Sequence, residues 1–545
     1  MEILERDQRE HLRDLFYWMQ SYFDACSDSL KPCIFYMSVF SPYQNIRRRR
    51  LLRRWIAEGY TRNTPSMSGE DKGEILFQEL VNLSIVQPKG RTLVCYNGFF
   101  HEYIISRPME DNHIFFLDGH CRGDLQRSGQ HLTISKSWDR DKVVFASIDL
   151  SRLRSLTVSG KWESFLINTS MKILRVLDLE DTSGVTNDEL GHILRILSRL
   201  MFLSVRGCGE ISRLPKSVGG LRQLETLDVR RTSIGTLPHA ITKLHKLQYI
   251  RAGTAEAESW DGCTPTSMAT ETDEGVIRSS SKRGVDRHRD GVGVKVPAEI
   301  WKLAALHTLG VVHVRGAGGK TFLKALKELN QLRKLRVSGI NMKTVKELFS
   351  AISGRIHLES LWVRFDKDKQ QTSFVTLDDN IPHPPNNIKS LKLHGHVHIL
   401  PGWIGQLDNL DKVDLDMLKQ EDIQYALADL PPLRRLHVKL MMQDCEFDFT
   451  ATGPFLDSKV LQIHCTSSSR LEVAFAGFRT LHVEVLKVHC SSGSSLRLHG
   501  LVDLKSLKQV CLQGSYRDEL KEDLMQQLDQ WPRDSDNKPV LTTSQ

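Results

Sequence analysis

Three short stretches carry residue types that could do chemistry. Arg47, Arg48, Arg49, Arg50, Arg53 and Arg54 place six arginines in eight residues. Such density can grip a nucleic-acid backbone or serve as a nuclear-import patch. The same run can instead be a solvated helix face paired with acidic neighbours, with Leu51, Leu52 and Trp55 anchoring the opposite side. GAGGKT at 316–321 approaches a phosphate-binding loop, whose glycines let backbone N–H groups wrap phosphates. Such a loop needs its first glycine at position 314, which is Val314, so the stretch reads as a glycine turn. HGHVH sets His394, His396 and His398 at alternate positions, on one side of an extended chain, as a metal would need. No Cys or carboxylate lies nearby in sequence to complete a ligand set, and surface histidines are the plainer reading. There is no GxSxG or HExxH signature, so no catalytic residue is assigned and no enzyme is expected.

The elements that must position these residues announce themselves by repetition. The pattern L-x-x-L-x-L recurs as Leu174-Leu177-Leu179, Leu200-Leu203-Val205, Leu224-Leu227-Val229 and Leu306-Leu309-Val311. It continues as Leu332-Leu335-Val337, Leu358-Leu361-Val363, Ile388-Leu391-Leu393, Leu410-Val413-Leu415 and Leu433-Leu436-Val438. Most steps are 21 to 26 residues, the period of leucine-rich repeats. Apolar residues two apart face the same side of a strand, and one coil cannot bury that row alone. Stacked coils can, with parallel strands on a concave face and looser segments returning on the convex face. Leu214-Pro215, Leu237-Pro238 and Leu400-Pro401 fit the turns into the returning segments, because proline ends strand pairing. From Leu247 to Leu306 the step is 59 residues, and residues 254–295 read as a disordered insertion rich in Ser, Thr, Gly and charge.

Residues that alternate with the core leucines point outward. Early repeats place Asp178, Glu180 and Asp228 there, with Arg230 as an exception. Later repeats place Lys334, Arg336, Trp362, Arg364, Lys392, Arg435, His437 and Lys439 there, interrupted by Lys412, Asp414 and Asp416. This predicts a mainly basic partner-binding strip with one exposed indole, the residue types that dominate protein hot spots. Ordinary solvation of a repeat surface is the alternative.

Composition narrows the class. The chain has 545 residues, 40 % hydrophobic and 26 % charged, which excludes a wholly disordered polypeptide. A net charge of +8 is a mild excess that does not by itself point to nucleic acid. No apolar run is long enough for a membrane span, and MEILERDQREHLRDLFYWMQ lacks a secretory signal's apolar core. The 10 cysteines are scattered without a CxxC pair, which fits reduced thiols in the cytoplasm or nucleus.

Ahead of the repeats the pattern changes. Leu30 to Val39 and Ile46 to Ala57 read as two helices broken at Ser41-Pro42. A further helix carries Ile75, Leu76, Phe77, Leu80, Val81 and Leu83, and a strand follows at Arg91 to Tyr96, a pattern that suits a small winged helix. LKPCIFYMSVFSPYQNIRRRRLLRRWIAEGY closely resembles the winged-helix segment of plant nucleotide-binding leucine-rich-repeat (NB-ARC-LRR) disease resistance proteins of the cereal coiled-coil type. GEDKGEILFQELVNLSIVQP, IISRPMEDNHIFFLDG and LETLDVRRTSIGTLP are similar to the segment after it, the linker and the repeats of that family. The resemblance implies an intracellular receptor for pathogen effectors in which repeats sense and restrain. The family places a coiled coil, a phosphate loop and a magnesium-site aspartate before the winged helix. This sequence starts about 25 residues before it, so that region is read as absent. Tyr96-Asn97-Gly98 stands where the family has its Met/Val-His-Asp motif, with Phe100-His101-Glu102 nearby. ADP or ATP, expected of the full-length family, is therefore not assigned as a cofactor, nor is any metal.

The resulting expectation is an α/β chain, a leucine-rich-repeat solenoid preceded by a small helical winged-helix domain. Residues 1–24 would be a remnant helix of a nucleotide-binding region, 25–110 the winged helix and 111–130 a linker. Residues 131–530 would be the repeats, with the insertion at 254–295, and 531–545 a tail. The expected function is plant defence, recognising a pathogen effector, a host guardee or a full-length receptor through the repeats, in the cytoplasm or nucleus. The alternative is a nucleic-acid-binding winged helix using Arg47 to Arg54. A ubiquitin-ligase substrate adaptor is a weaker third reading, resting on fold analogy.

Overall fold

The computed structural model describes residues 14, 16–41, 44–62, 64–89, 93–106, 114–119, 129–253, 293–366, 375–376, 383–395, 397–399, 402–417, 430–431, 433–440, 445–448, 459–465, 470–475, 482–491, 494–531 and 538–544. The chain divides into two compact units, Met1–Ala269 and Thr270–Gln545. Most of the predicted insertion, 254–292, lies outside the described residues.

In the first unit, residues 16–25 are helical and lead to α1 (Lys31–Met37). Strand β1 (Ile46–Arg47) runs directly into α2 (Arg48–Glu58). α3 (Gly69–Asn82) follows, its start capped by the Ser68 hydroxyl, which accepts from the Asp71 amide. β2 (Val86–Lys89) and β3 (Leu93–Tyr96) then pair antiparallel, β1 adds to β3, and α4 (Gly98–Ser106) closes the module. Leu51, Leu52 and Trp55 drive one face of α2 into a core with Tyr36, Phe40, Leu76 and Phe77. Gly59, at φ +87°, ends α2 in the left-handed conformation that glycine adopts without a Cβ penalty.

The rest of the unit is one parallel sheet: β4 (Ile114–Leu117), β5 (His131–Ile134), β6 (Ser155–Val158), β7 (Val176–Asp178), β8 (Phe202–Ser204), β9 (Thr226–Asp228) and β10 (Tyr249–Arg251). Its register sets Phe115, Leu132, Leu156, Leu177, Leu203, Leu227 and Ile250 side by side in one buried row. The repeat leucines are thus neighbours across coils, as the period requires. Pro215 and Pro238 each open a 3₁₀ turn on the return path, at Lys216–Gly220 and His239–Lys243. The segment read as a linker, 111–130, differs from expectation. Ile114–Leu117 is the first strand of the sheet, because IFFL offers the same buried apolar row.

The second unit carries its own parallel sheet. Its strands are β11 (Thr308–His313), β12 (Lys334–Ile340), β13 (Ser360–Phe365), β14 (Ser390–His394) and β15 (Lys412–Met417). They continue as β16 (Arg435–Leu440), β17 (Val460–Cys465), β18 (Val485–Cys490), β19 (Gln509–Gly514) and β20 (Val540–Ser544). β20 lies in the stretch read as a tail, and Leu541 extends the apolar row beyond Val510. GAGGKT is neither a phosphate loop nor a simple turn. It forms the first turns of an eleven-residue helix, Gly316–Leu326. A Cβ at Gly319 would sit 2.7 Å from the Val314 carbonyl carbon, so the glycine is there to let the helix close onto the strand before it.

If the leucine row is a continuous core, removing one member is costly. Leu203→Ala should lower unfolding stability by about 2–5 kcal/mol, measured by urea denaturation of the whole chain. A loss below about 1 kcal/mol would contradict a packed row.

Candidate functional site

α2 lies against the outward face of the first unit's sheet, contacting β7 and β8. Ala57 packs on Val176 and Phe202, two outward residues that are therefore buried. Helical spacing puts Arg50 and Arg54 on the side facing the strands, and Arg47, at the end of β1, joins them there. Arg50 Nε lies 2.7 Å from Asp178 Oδ2 and its Nη1 lies 2.8 Å from Glu180 Oε2. Arg47 Nη2 meets Glu180 Oε2 at 2.6 Å, and Arg54 Nη1 meets Asp178 Oδ2 at 3.0 Å. Arg54 is wholly committed: it also donates to Thr157 Oγ1 at 2.7 Å and to Tyr36 OH at 2.8 Å. Its guanidinium sits 4.8 Å from the Phe40 ring centroid, so π faces cover what the oxygens leave. Arg206 supplies a further cation to Glu180 from the repeat side. Arg54 and Asp178 are both fully buried.

The electrostatics follow from that burial. Loss of water pushes Glu180 up, but Arg50, Arg47 and Arg206 outweigh it and hold the carboxyl at about 2. Burial likewise disfavours the Arg50 cation, yet Asp178 and Glu180 reverse the sign and raise its pKa. Next along the face, Arg230 folds back on Asp228, Nη2 to Oδ2 at 2.6 Å, with Arg251 at 3.6 Å. The exception noted among the early outward residues is therefore the partner of its neighbour. Arg53 stacks 4.2 Å from the Tyr249 ring centroid, and the Tyr249 hydroxyl donates to Glu70 at 2.7 Å. Arg48 pairs with Glu74 and stacks on Phe77. Of the six arginines only Arg49 is exposed.

That arrangement corrects the nucleic-acid alternative. Arg47, Arg48, Arg50, Arg53 and Arg54 are held by carboxylates and aromatic rings of this chain, so the run does not present a free basic face to a phosphate backbone.

A second buried cluster forms where α2 ends. Glu58 Oε2 lies 3.0 Å from Arg154 Nη2, and Glu58 Oε1 lies 3.8 Å from His131 Nδ1. His131 also contacts Ser155 Oγ at 3.0 Å and Tyr60 OH at 3.1 Å. Here burial wins over Arg154, Arg54 and Arg175, and the Glu58 carboxyl is pushed up to about 7. Nothing in the residue order marked this cluster, since Tyr60 and His131 are 71 positions apart and Glu58 and Arg154 are 96 apart.

In the second unit the predicted strip lies on β12 to β16. Lys334, Arg336, Arg364, Lys392 and Arg435 are half-buried. Trp362, expected as an exposed indole, is only 5 % exposed, with its ring 5.6 Å from that of His394. His437 is 3 % exposed. Lys439 pairs through its backbone with Asp416, and its side chain is outside the described residues. What sequence reasoning treated as an interruption is the centre of the strip: Asp414 receives Lys392 Nζ at 3.1 Å and His437 Nδ1 at 2.6 Å, with His394 Nε2 at 3.8 Å. Burial opposes the Asp414 charge, but the His437 hydrogen bond and Lys392 hold its pKa well below the usual range. A carboxylate does therefore stand near the HGHVH stretch, one strand away rather than nearby in sequence. His396 and the His398 side chain lie outside the described residues, and no cluster of three or more metal-ligating groups occurs among those described. His101, considered for the nucleotide-sensing motif, is buried on α4 beside Phe116.

Residues 152–265 and 288–540 match the family profile described as "Leucine-rich repeat region". The chain belongs to the leucine-rich-repeat family. Residues 39–106 match a second profile, "Disease resistance protein Winged helix domain". Two similar curated relatives are Disease resistance protein Pik-2 and Disease resistance protein RGA4, both of Oryza sativa subsp. japonica. The first is 27 % identical over 481 residues, covering 84 % of this chain and 45 % of the relative. The second is 27 % identical over 450 residues, covering 78 % of this chain and 40 % of the relative. The chain thus spans less than half the length of these relatives. No described helix is long and apolar enough to cross a membrane.

Two outcomes test the docked helix. Arg54→Ala takes one of two guanidiniums from buried Asp178, leaving Arg50, and should cost up to about 3–5 kcal/mol; adding Asp178→Ala should recover part of that, read by a double-mutant cycle in urea. The pH profile has two limbs. Glu180, lowered from 4.5 to about 2, contributes stability above 4.5 that is lost as pH falls toward 2. Glu58, raised from 4.5 to about 7, contributes stability below 4.5 that is lost as pH rises to about 7. Glu58→Gln should flatten the second limb only.

Proposed function

We propose that this chain is a plant defence-related interaction protein that recognises a pathogen effector or a host partner through its leucine-rich repeats. The observation that carries the reading is the union of a disease-resistance winged helix with a repeat sheet on which that helix is pinned by buried ion pairs. A helix held this way couples the state of the repeats to the module ahead of them, so the repeats can restrain as well as bind. The relatives are named for disease resistance, and that role comes to this chain as part of the proposal. Action is by binding rather than catalysis, at a site inside the cell.

The recognising surface is the strip that carries Lys334, Arg336, Arg364, Lys392, Arg435 and Lys439, with Trp362 and His437 buried within it. Its cations suit an acidic protein surface, and buried Trp362 and Asp414 stiffen the face rather than touch the partner. Half-buried arginines lose little further conformational freedom on binding, which favours a specific contact.

Co-expression of the full chain with an effector library in leaf tissue, followed by capture, tests this. Arg336→Glu with Arg364→Glu should weaken a captured partner by about tenfold or more, in a chain shown by circular dichroism to remain folded. Binding should also fall with rising salt. Retention unchanged by the double reversal would overturn the assignment of the strip.

A further inference from the structure

A cleft of about 820 Å³ opens in the first unit beside the C-terminal end of α2. Its lining is dominated by Arg62, Arg154, Arg175, Arg199 and Arg222, with Glu225 as the lone carboxylate among its lining residues. The arginines have two origins. Arg62 follows α2, whereas the other four come from the segments that lead into β6, β7, β8 and β9. Consecutive parallel strands lie about 5 Å apart, so each repeat adds one guanidinium along the same edge of the sheet. The repeat period therefore builds a row of cations that no single coil could supply.

Most of that charge is not neutralised by the protein. Arg154 is committed to Glu58, and Arg175 donates to the Glu58 carbonyl at 3.2 Å. Arg222 donates to the Lys243 carbonyl at 3.1 Å, a neutral partner. Arg62 and Arg199 are exposed, and neither has a hydrogen-bonded or ionic partner among the described residues. Arg62 and Arg175 also crowd one point: a Cβ built on Gly59 would lie 3.2 Å from Arg62 Nε and 3.8 Å from Arg175 Nη1. Burial lowers the Arg175 pKa and the neighbouring Arg154 cation lowers it further, an effect that the Glu58 carboxylate opposes and Arg62 reinforces. Burial pushes Glu225 up to about 7, against Lys246, so the one lining carboxyl carries only part of a charge near neutral pH. Like charges are gathered here without the carboxylates that balance the Asp178–Glu180 contact nearby.

We propose that this cleft binds a small anion carrying several phosphates, held by Arg62, Arg175, Arg199 and Arg222. Planar guanidinium forks match phosphate oxygens two at a time, and four of them suit several phosphates rather than one. The volume falls within the range of small-molecule sites. A nucleic-acid duplex needs an extended positive track, and a bounded cleft does not provide one. Because the cations come from α2's exit and from four repeats, the ligand would bridge the winged helix and the sheet and strengthen their docking.

The test uses the full chain and two probes of the same chemistry, inositol hexakisphosphate with ring-borne phosphates and tripolyphosphate with linear ones. Calorimetry at constant ionic strength, with sodium sulfate as the background salt, should give saturable binding of one probe molecule per chain. The probe that binds more tightly tells which source the site is shaped for. Arg62→Gln with Arg199→Gln removes two cations that have no structural partner among the described residues, so the fold should be unchanged by circular dichroism, and affinity should fall by about tenfold or more. The bound probe should raise the thermal midpoint of the parent chain and not that of the double variant. The proposal is overturned if neither probe saturates, if the double variant binds as the parent does, or if a single-stranded oligonucleotide competes better than both probes and is insensitive to the substitutions. None of these results bears on the partner-binding strip of the second unit, so the two assignments fail separately.

Discussion

The first unit depends on whether a dry contact can hold charge. Arg54 and Asp178 are both removed from water, and each is tolerable only because opposite charge is bonded to it. The desolvation cost is offset by a dense set of bonds: Arg50 and Arg54 share Asp178, Arg47, Arg50 and Arg206 share Glu180, and Thr157 and Tyr36 take the remaining Arg54 donors. An apolar interface of the same size could be as stable. It would not fix one register of α2 on the strands, whereas a shift that takes the guanidiniums off their carboxylates leaves buried charges unpaired and is strongly penalised. The contact therefore specifies where the winged helix sits as much as how tightly.

The parallel sheet makes such specification possible. One repeat offers a single outward residue at each column, and its neighbours in space belong to the repeats before and after it. Asp178 stands between Thr157 and Ser204 in its column, and Asp414 stands between Lys392 and His437 in its own. In both places a buried carboxylate is met by donors from elsewhere in the chain, α2 for Asp178 and the neighbouring coils for Asp414. The chemistry of these faces is lateral, at right angles to the chain.

That geometry explains what could be seen in the residues alone. The leucine period gave the strands, their inward rows and the outward columns, because burial is periodic along the chain. The helices ahead of the repeats were visible from Leu51, Leu52, Trp55, Leu76 and Leu80, although β1 was missed because a two-residue strand carries no period. The burial of Trp362 was not visible, since it depends on what β14 places beside it. Asp414 looked like an interruption along one strand and is an anchor across three. Listing the outward residues column by column, rather than strand by strand, would have found both the Asp414 contact and the arginine row beside β6 to β9. The docking of α2 was foreseeable in sign, with arginines on one side and Asp178, Glu180 and Asp228 on the other. Its register was not, because no local rule links positions more than 120 apart.

Outward side chains in this architecture rest on a leucine interior that does not involve them, so most can be exchanged without disturbing the stack. Asp178 and Glu180 are different, since α2 is seated on them. The early coils and α2 are consequently bound to a shared history: a recombination that brings in foreign coils at β7 must carry its matching helix with it, while coils away from such buried carboxylates can be exchanged more freely, and the one bearing Asp414 must still suit the coils on either side. Diversity in chains of this design should accumulate away from the helix and be scarce beneath it.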